Sequence, residues 1–271
     1  MEKTSAPTFV LGLGAQKAGT SWISGYLKTE KTAKMGQLKE YHVWDAKYAD
    51  LGAPFKVAEN SIGRDEKSIL RYAMQNYDGF YEKYFASLIR QRSNISITGD
   101  ITPTYGTLSE DNLREIKERL EHVGFRVKTV LLLRDPVQRC WSAVRMKLRN
   151  EGNTSPNEEE TNSLLAKLYQ TPEYALRTDY ATMVGKVEKV FAPENTYYGF
   201  YENMFSEEKV RAIADYLSIP TRLEYSSVRK NTSPTVTISD ANREALRSFY
   251  KSTYDFCFDR FPEGRELWEA A

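Results

Sequence analysis

The stretch Thr8 to Trp22, TFVLGLGAQKAGTSW, passes from a short apolar run through a glycine-bearing turn into residues with helical spacing. Thr8 to Leu13 predicts a buried strand. Trp22, Ile23, Tyr26 and Leu27 recur as one face of a helix running from Gly19 to Lys28. The first amides of a helix lack intrahelical acceptors, and the helix dipole favours negative charge there. The N–H groups of Gly19, Thr20 and Ser21 therefore suit a phosphate, with Gly14 and Gly19 permitting a tight turn. Lys17 can reach into the same turn, and the hydroxyls of Thr20 and Ser21 add donors. The plain alternative is a structural turn with Lys17 in solvent. Lys17 precedes the last glycine, whereas an ATP-type loop, G-x-x-x-x-G-K-[ST], places its lysine after it. Trp22 has two readings: packing on the inner helix face, or a platform for a nucleobase, a contact worth about 1–3 kcal/mol.

Working outward, strand and helix signals alternate. Asn94 to Thr98, Arg126 to Leu133 and Thr196 to Phe200 read as strands, and RVKTVLLL is the clearest because its apolar run is nearly continuous. Helical patterns cover Gly79 to Arg90, Ser109 to Glu121 with Ser109 as N-cap, and Asp135-Pro136 to about Arg149. Others cover Pro172 to Phe191, Ser206 to Leu217 and Ser239 to Phe258. Asn150 to Asn162, NEGNTSPNEEETN, reads as a surface excursion. Strands separated by helices predict an α/β fold, a parallel sheet with helices on both faces, in one domain over residues 1–271. Ligands of such sheets bind at the carboxyl ends of strands.

A net charge of +1, from 38 basic and 37 acidic residues, gives no global field for nucleic acid. Two cysteines, Cys140 and Cys257, without CxxC spacing fit a reducing compartment better than a disulfide framework. Two histidines, His42 and His122, offer too few partners for a His-rich zinc site. MEKTSAPT lacks a signal-peptide layout, and no apolar run approaches the ~20 residues of a membrane span. The expectation is a soluble, cytoplasmic chain with no membrane or nucleic-acid partner.

A second anion site is written in Leu131 to Arg149, LLLRDPVQRCWSAVRMKLR. Arg134 emerges where the strongest strand ends and offers a planar fork for two phosphate oxygens; Ser142 follows on the next helix. Arg134 could instead pair with Asp135. Arg139, Arg145, Lys147 and Arg149 read most simply as a solvated basic face.

Together, QKAGTSW resembles the 5′-phosphosulfate loop of the sulfotransferases, and LLLRDPVQRCWSAV resembles their 3′-phosphate motif. These enzymes use 3′-phosphoadenosine 5′-phosphosulfate, PAPS, and release adenosine 3′,5′-bisphosphate, PAP. LKEYHVWD (Leu38 to Asp45) and GDITPTY (Gly99 to Tyr105) are similar to segments of the glycan, heparan sulfate-type branch, with Asp100 and Ile101 in place of its Glu-Lys pair. TYYGFYENM (Thr196 to Met204) resembles the family's strand ending in Y-E-x-L. VRKNTSP (Val228 to Pro234) occupies the place of its basic covering loop. The resemblance implies a P-loop-type sheet and metal-independent, in-line sulfuryl transfer. It implies that Gln16, Lys17, Ala18, Gly19, Thr20 and Ser21 hold the 5′ end and Trp22 the adenine. Arg134 and Ser142 would hold the 3′-phosphate, and Arg229 and Lys230 would close over it.

Lys17 would stabilise the leaving group. Glu40 matches the branch's catalytic glutamate, and His42 is the second candidate base; both would project from one side of an extended segment. Asp100, as a substrate-pocket or orienting residue, and Tyr105 would face the acceptor, a carbohydrate or small molecule bearing a hydroxyl. The competing classes are a P-loop kinase or NTPase, with TVLLLRD as a Walker-B mimic ending in Asp135, and a nucleotide-binding protein without turnover.

Overall fold

Residues 6–63, 65–228 and 236–269 are described by the computed structural model. Strand β1 (Thr8–Gly14) is buried residue after residue from Phe9 onward, not alternately. Unbroken burial requires cover on both faces of a sheet. β2 (Ile97–Ile101) is buried in the same way, as is β3 (Arg126–Leu133) beyond its first residue; β4 (Thr196–Phe200) forms the far edge. All neighbours pair in parallel, in the order β2-β1-β3-β4. The protein is thus α/β, with a parallel sheet flanked by helices.

Between β1 and β2 run α1 (Thr20–Thr29), α2 (Trp44–Tyr48), α3 (Glu66–Asn76) and α4 (Phe80–Arg90). α5 (Glu110–His122) leads into β3. α6 (Pro136–Asn150), α7 (Glu158–Leu168), α8 (Pro172–Leu176) and α9 (Tyr180–Val190) lie between β3 and β4. α10 (Glu207–Leu217), α11 (Asp240–Phe249), α12 (Lys251–Arg260) and α13 (Pro262–Glu269) follow β4. Phe9 joins layers: its ring meets Phe85 of α4 edge-on at 4.9 Å and Phe125 at 5.5 Å. Among the described residues no helix is long and apolar enough to cross a membrane.

β3 and β4 have the bounds their apolar runs predict, and Ser109 caps α5, its Oγ accepting the Asn112 N–H at 3.1 Å. Elsewhere local bonding moves the boundaries. β2 begins at Ile97, not Asn94, because the preceding residues turn and Ile95 N–H bonds back to Arg92 O. The single helix expected over Pro172 to Phe191 is two: Asp179 restarts it, its carboxylate accepting the Thr182 N–H at 3.0 Å. The tail helix likewise divides at Tyr250. Half of the expected surface excursion is helical, because Asn157 caps α7 and Thr161 and Leu165 are buried. Arg139 does not join a solvated face; it is fully buried, its Nη2 3.0 Å from Cys140 Sγ and 3.3 Å from Tyr174 O. Cys140 and Cys257 are both buried free thiols.

Candidate active site: a cation-lined cavity at the strand ends

β1 shifts register against β3 between Gly12 and Gly14, an irregularity that bends a strand end away from its ladder. Gly14 (φ 116°) and Gly19 (φ 99°) then occupy backbone conformations that side chains rarely adopt. A Cβ at Gly14 would meet Pro103 O, and one at Gly19 would meet Met204 Sδ. Lys17, between them, also has a left-handed backbone, φ 71°. Its carbonyl is held in place by Arg134, whose Nη1 donates to Lys17 O at 2.9 Å. The two motifs read from sequence are therefore bonded to each other.

α1 starts at Thr20 with no side-chain cap. Gln16, Lys17, Gly19, Thr20 and Ser21 border a cavity of about 810 Å³ there. Ala18 does not; it is fully buried and its N–H bonds to Ala15 O at 3.1 Å. The two readings of Trp22 also separate. Its ring is 2% exposed, stacks on Tyr26 at 5.3 Å, and donates through Nε1 to Tyr225 O at 3.2 Å. Packing takes up most of this ring, and the part left over borders the cavity.

Arg134 follows the last residue of β3, with its guanidinium 4.0 Å from the Tyr201 ring centroid. Its Nε is buried without a hydrogen-bond partner among the described residues. Asp135 is not its partner: that carboxylate caps α6 through the Gln138 N–H at 2.8 Å and accepts the Tyr254 hydroxyl at 2.8 Å. Ser142 and Arg149 of α6 border the same cavity. Burial, then the charges of Arg149, Arg134, Lys39 and Arg145, push the Lys17 ammonium down to about 8. Cations gathered tightly enough to depress one another mark a place that favours an anion.

Glu40 and His42 reach the cavity from another direction. The segment is not extended, since His42 has φ 52°, so the expected alternation fails. The turn brings them together by another route: His42 Nε2 lies 3.2 Å from Glu40 Oε2, and Nδ1 lies 2.7 Å from Asp45 Oδ2. The Phe55 ring stacks on the imidazole at 3.5 Å. Burial pushes the Glu40 carboxyl up, but the His42 hydrogen bond and the charges of Lys39 and His42 outweigh it and hold it below its ordinary range. Burial pushes the His42 imidazole down, and its bonds to Asp45 and Glu40 outweigh that and raise it. Asp45 escapes a reading of the sequence that stops at Glu40 and His42. Its signal is an acid three residues beyond the histidine, inside the first turn of α2.

Asp100, expected as a substrate-pocket or orienting residue, and Tyr105, expected at the acceptor, lie behind the cavity wall. Both are fully buried, with the Tyr105 hydroxyl donating to Asp100 Oδ2 at 2.8 Å, and neither borders the cavity. Burial, opposed by hydrogen bonds from Thr102, Tyr105 and Tyr81, pushes the Asp100 carboxyl up to about 6. Arg229 and Lys230 lie outside the described residues.

No family model matches the chain, and no curated protein matches it by sequence. Solved structures do match. A sulfotransferase from Alicyclobacillus acidocaldarius superposes with a TM-score of 0.58 at 17% identity, over 94% of this chain and 95% of that one. A mouse sulfotransferase complexed with PAP superposes with a TM-score of 0.50 at 13% identity, over 97% of this chain and 88% of that one. What the chain shares with them at such identities is the fold, across nearly its whole length.

Proposed function

We propose that this cavity moves a sulfuryl group from PAPS to an acceptor hydroxyl. One observation carries the reading: cations from the ends of β1 and β3, tied by the Arg134–Lys17 bond, share a cavity with Glu40 and His42, and Asp45 backs His42 from outside it. The residues fit the nucleotide. The uncapped start of α1, the unpartnered Arg134 Nε and the depressed Lys17 ammonium are each satisfied by an anion. Gln16, Lys17, Gly19, Thr20 and Ser21 would hold its 5′ end, and Arg134 with Ser142 its 3′-phosphate. When bound, PAPS supplies the sulfuryl group and a phosphate leaving group.

The chain supplies the rest. Lys17 offsets negative charge growing on the leaving oxygen. Glu40 takes the acceptor's proton. His42 donates to Glu40 through Nε2, and Asp45 holds the imidazole through Nδ1. The motif resemblance to the glycan branch makes a carbohydrate the first acceptor class to screen. The PAP held by the mouse neighbour supports the nucleotide half of the reading. A Walker-B role for Asp135 meets an obstacle, since that carboxylate is taken up by capping α6.

Calorimetric titration with PAP, 5′-AMP and ATP with magnesium tests the donor site. The bisphosphate should bind best, and Arg134→Ala should weaken it by about 10–100-fold and 5′-AMP by less, through the lost grip on the Lys17 carbonyl alone. Tighter ATP binding with magnesium, indifferent to Arg134→Ala, would overturn the reading in favour of phosphoryl transfer.

A further inference from the structure

Five backbone polar groups of residues 40 to 43, around the left-handed turn at His42, are held by side chains of other elements. The N–H of Tyr41 donates to Thr102 Oγ1 at 3.0 Å, and that of Val43 to Tyr105 Oη at 3.1 Å. The carbonyls are held from α3: Arg71 donates to Glu40 O at 3.0 Å and to Tyr41 O at 2.9 Å, and Gln75 donates to His42 O at 2.6 Å. Behind the two accepting hydroxyls stands one carboxylate. Thr102 donates to Asp100 Oδ1 at 2.6 Å, and Tyr105 to Asp100 Oδ2 at 2.8 Å.

A hydroxyl has one proton to give. Once Thr102 and Tyr105 have given theirs to Asp100, each can only accept, and each accepts the amide on one side of His42. Asp100 therefore sets the direction of both bonds without touching the cavity. We propose that Asp100, acting through Thr102 and Tyr105, is the positioning residue that holds His42, and with it Glu40, in the geometry of transfer. The proposal rests on Glu40 and His42 being the acid–base pair of the reading above.

Tyr81 supplies an internal control. Its hydroxyl also donates to Asp100 Oδ2, at 3.1 Å, and its ring is as deeply buried, yet it accepts no amide from residues 40 to 43. Tyr105→Phe removes one of the two grips. Asp100→Asn puts an N–H donor where a carboxylate oxygen stood, so one hydroxyl loses its acceptor and its proton is no longer directed away from the amide it holds. Tyr81→Phe removes a bond to Asp100 and no grip.

The three variants are compared by steady-state kinetics, PAP titration and the imidazole cross-peaks of the two histidines, with His122 as reference. Tyr105→Phe and Asp100→Asn should lower kcat by roughly 10–100-fold, the cost of a small misplacement, with KM and PAP affinity unchanged. Both should move the His42 cross-peak and leave His122 in place, while Tyr81→Phe leaves kcat and both peaks as in the wild type. Equal losses in Tyr81→Phe and Tyr105→Phe, or an unmoved His42 peak in Tyr105→Phe, would overturn the proposal. Should Asp100→Asn not fold, as judged by circular dichroism, Tyr105→Phe decides alone. A wild type that transfers to no acceptor would sink the transferase reading, and the histidine spectra would still decide whether Asp100 positions His42.

Discussion

Lys17→Ala is expected to lower kcat by about 10²–10³-fold, the effect of removing one preorganised donor from a developing oxyanion. Lys17 is the one ammonium in the glycine turn, and its carbonyl is held by Arg134. The free protein also holds it at a disadvantage: burial and four surrounding cations bring it down to about 8. The linkage sign follows. A lysine less basic folded than unfolded costs stability while charged, so Lys17's contribution rises as pH climbs from about 8 toward its unfolded value of 10.5. An anion in the cavity reverses the shift and recharges the amine. PAP binding at about pH 8.5 should therefore take up protons, read as a dependence of binding enthalpy on buffer, and Lys17→Ala should abolish the uptake. Unchanged kcat in Lys17→Ala, or uptake that persists in it, would remove Lys17 from the reaction.

The glycine turn and β3 were legible because their signals are local. A turn between a buried strand and a helix writes itself in glycines, and a strand covered on both faces writes itself as an unbroken apolar run. The same holds for Ser109, whose capping bond spans three residues. What was not legible depends on distant partners. Arg139 sits among basic residues at helical spacing, and nothing local distinguishes the arginine that turns into the core from those that stay outside. Asp100 and Tyr105 lie in a motif that resembles an acceptor segment, yet burial and mutual hydrogen bonds put them behind the Glu40–His42 segment. Trp22 could pack or stack on a base from sequence alone; Tyr225, 203 residues away, takes its Nε1 proton. Arg71 and Gln75 carry no local signal, since a grip on another segment's carbonyls leaves no pattern in α3 itself.

The choice between Glu40 and His42 as proton acceptor has a sharp pH consequence. Glu40→Gln is expected to lower kcat by about 10²–10⁴-fold, the usual reach of a general base. Loss of rate alone does not name the base, because His42 touches the same oxygen. The acid limb of kcat/KM does, since it reports the ionisation of the free enzyme's base. A base works deprotonated, so the rate falls as pH drops through its pKa. His42, Lys39 and their hydrogen bonds hold the Glu40 carboxyl below 4.5 against its burial. With Glu40 as base, the profile stays level down through about pH 5.5 and falls only below its ordinary carboxylate range. Asp45 and Glu40 raise the His42 imidazole above 6.5 despite burial. With His42 as base, most of the rate is already gone at about pH 5.5. Glu40 is the more open of the two, its side chain 31% exposed against 5% for His42, so it is the group an acceptor can reach. A level profile to about pH 5.5 in the wild type, flattened to a low residual rate in Glu40→Gln, assigns the proton to Glu40 and leaves His42 to hold it through Nε2. A limb above pH 6.5 that survives in Glu40→Gln would exchange the two roles.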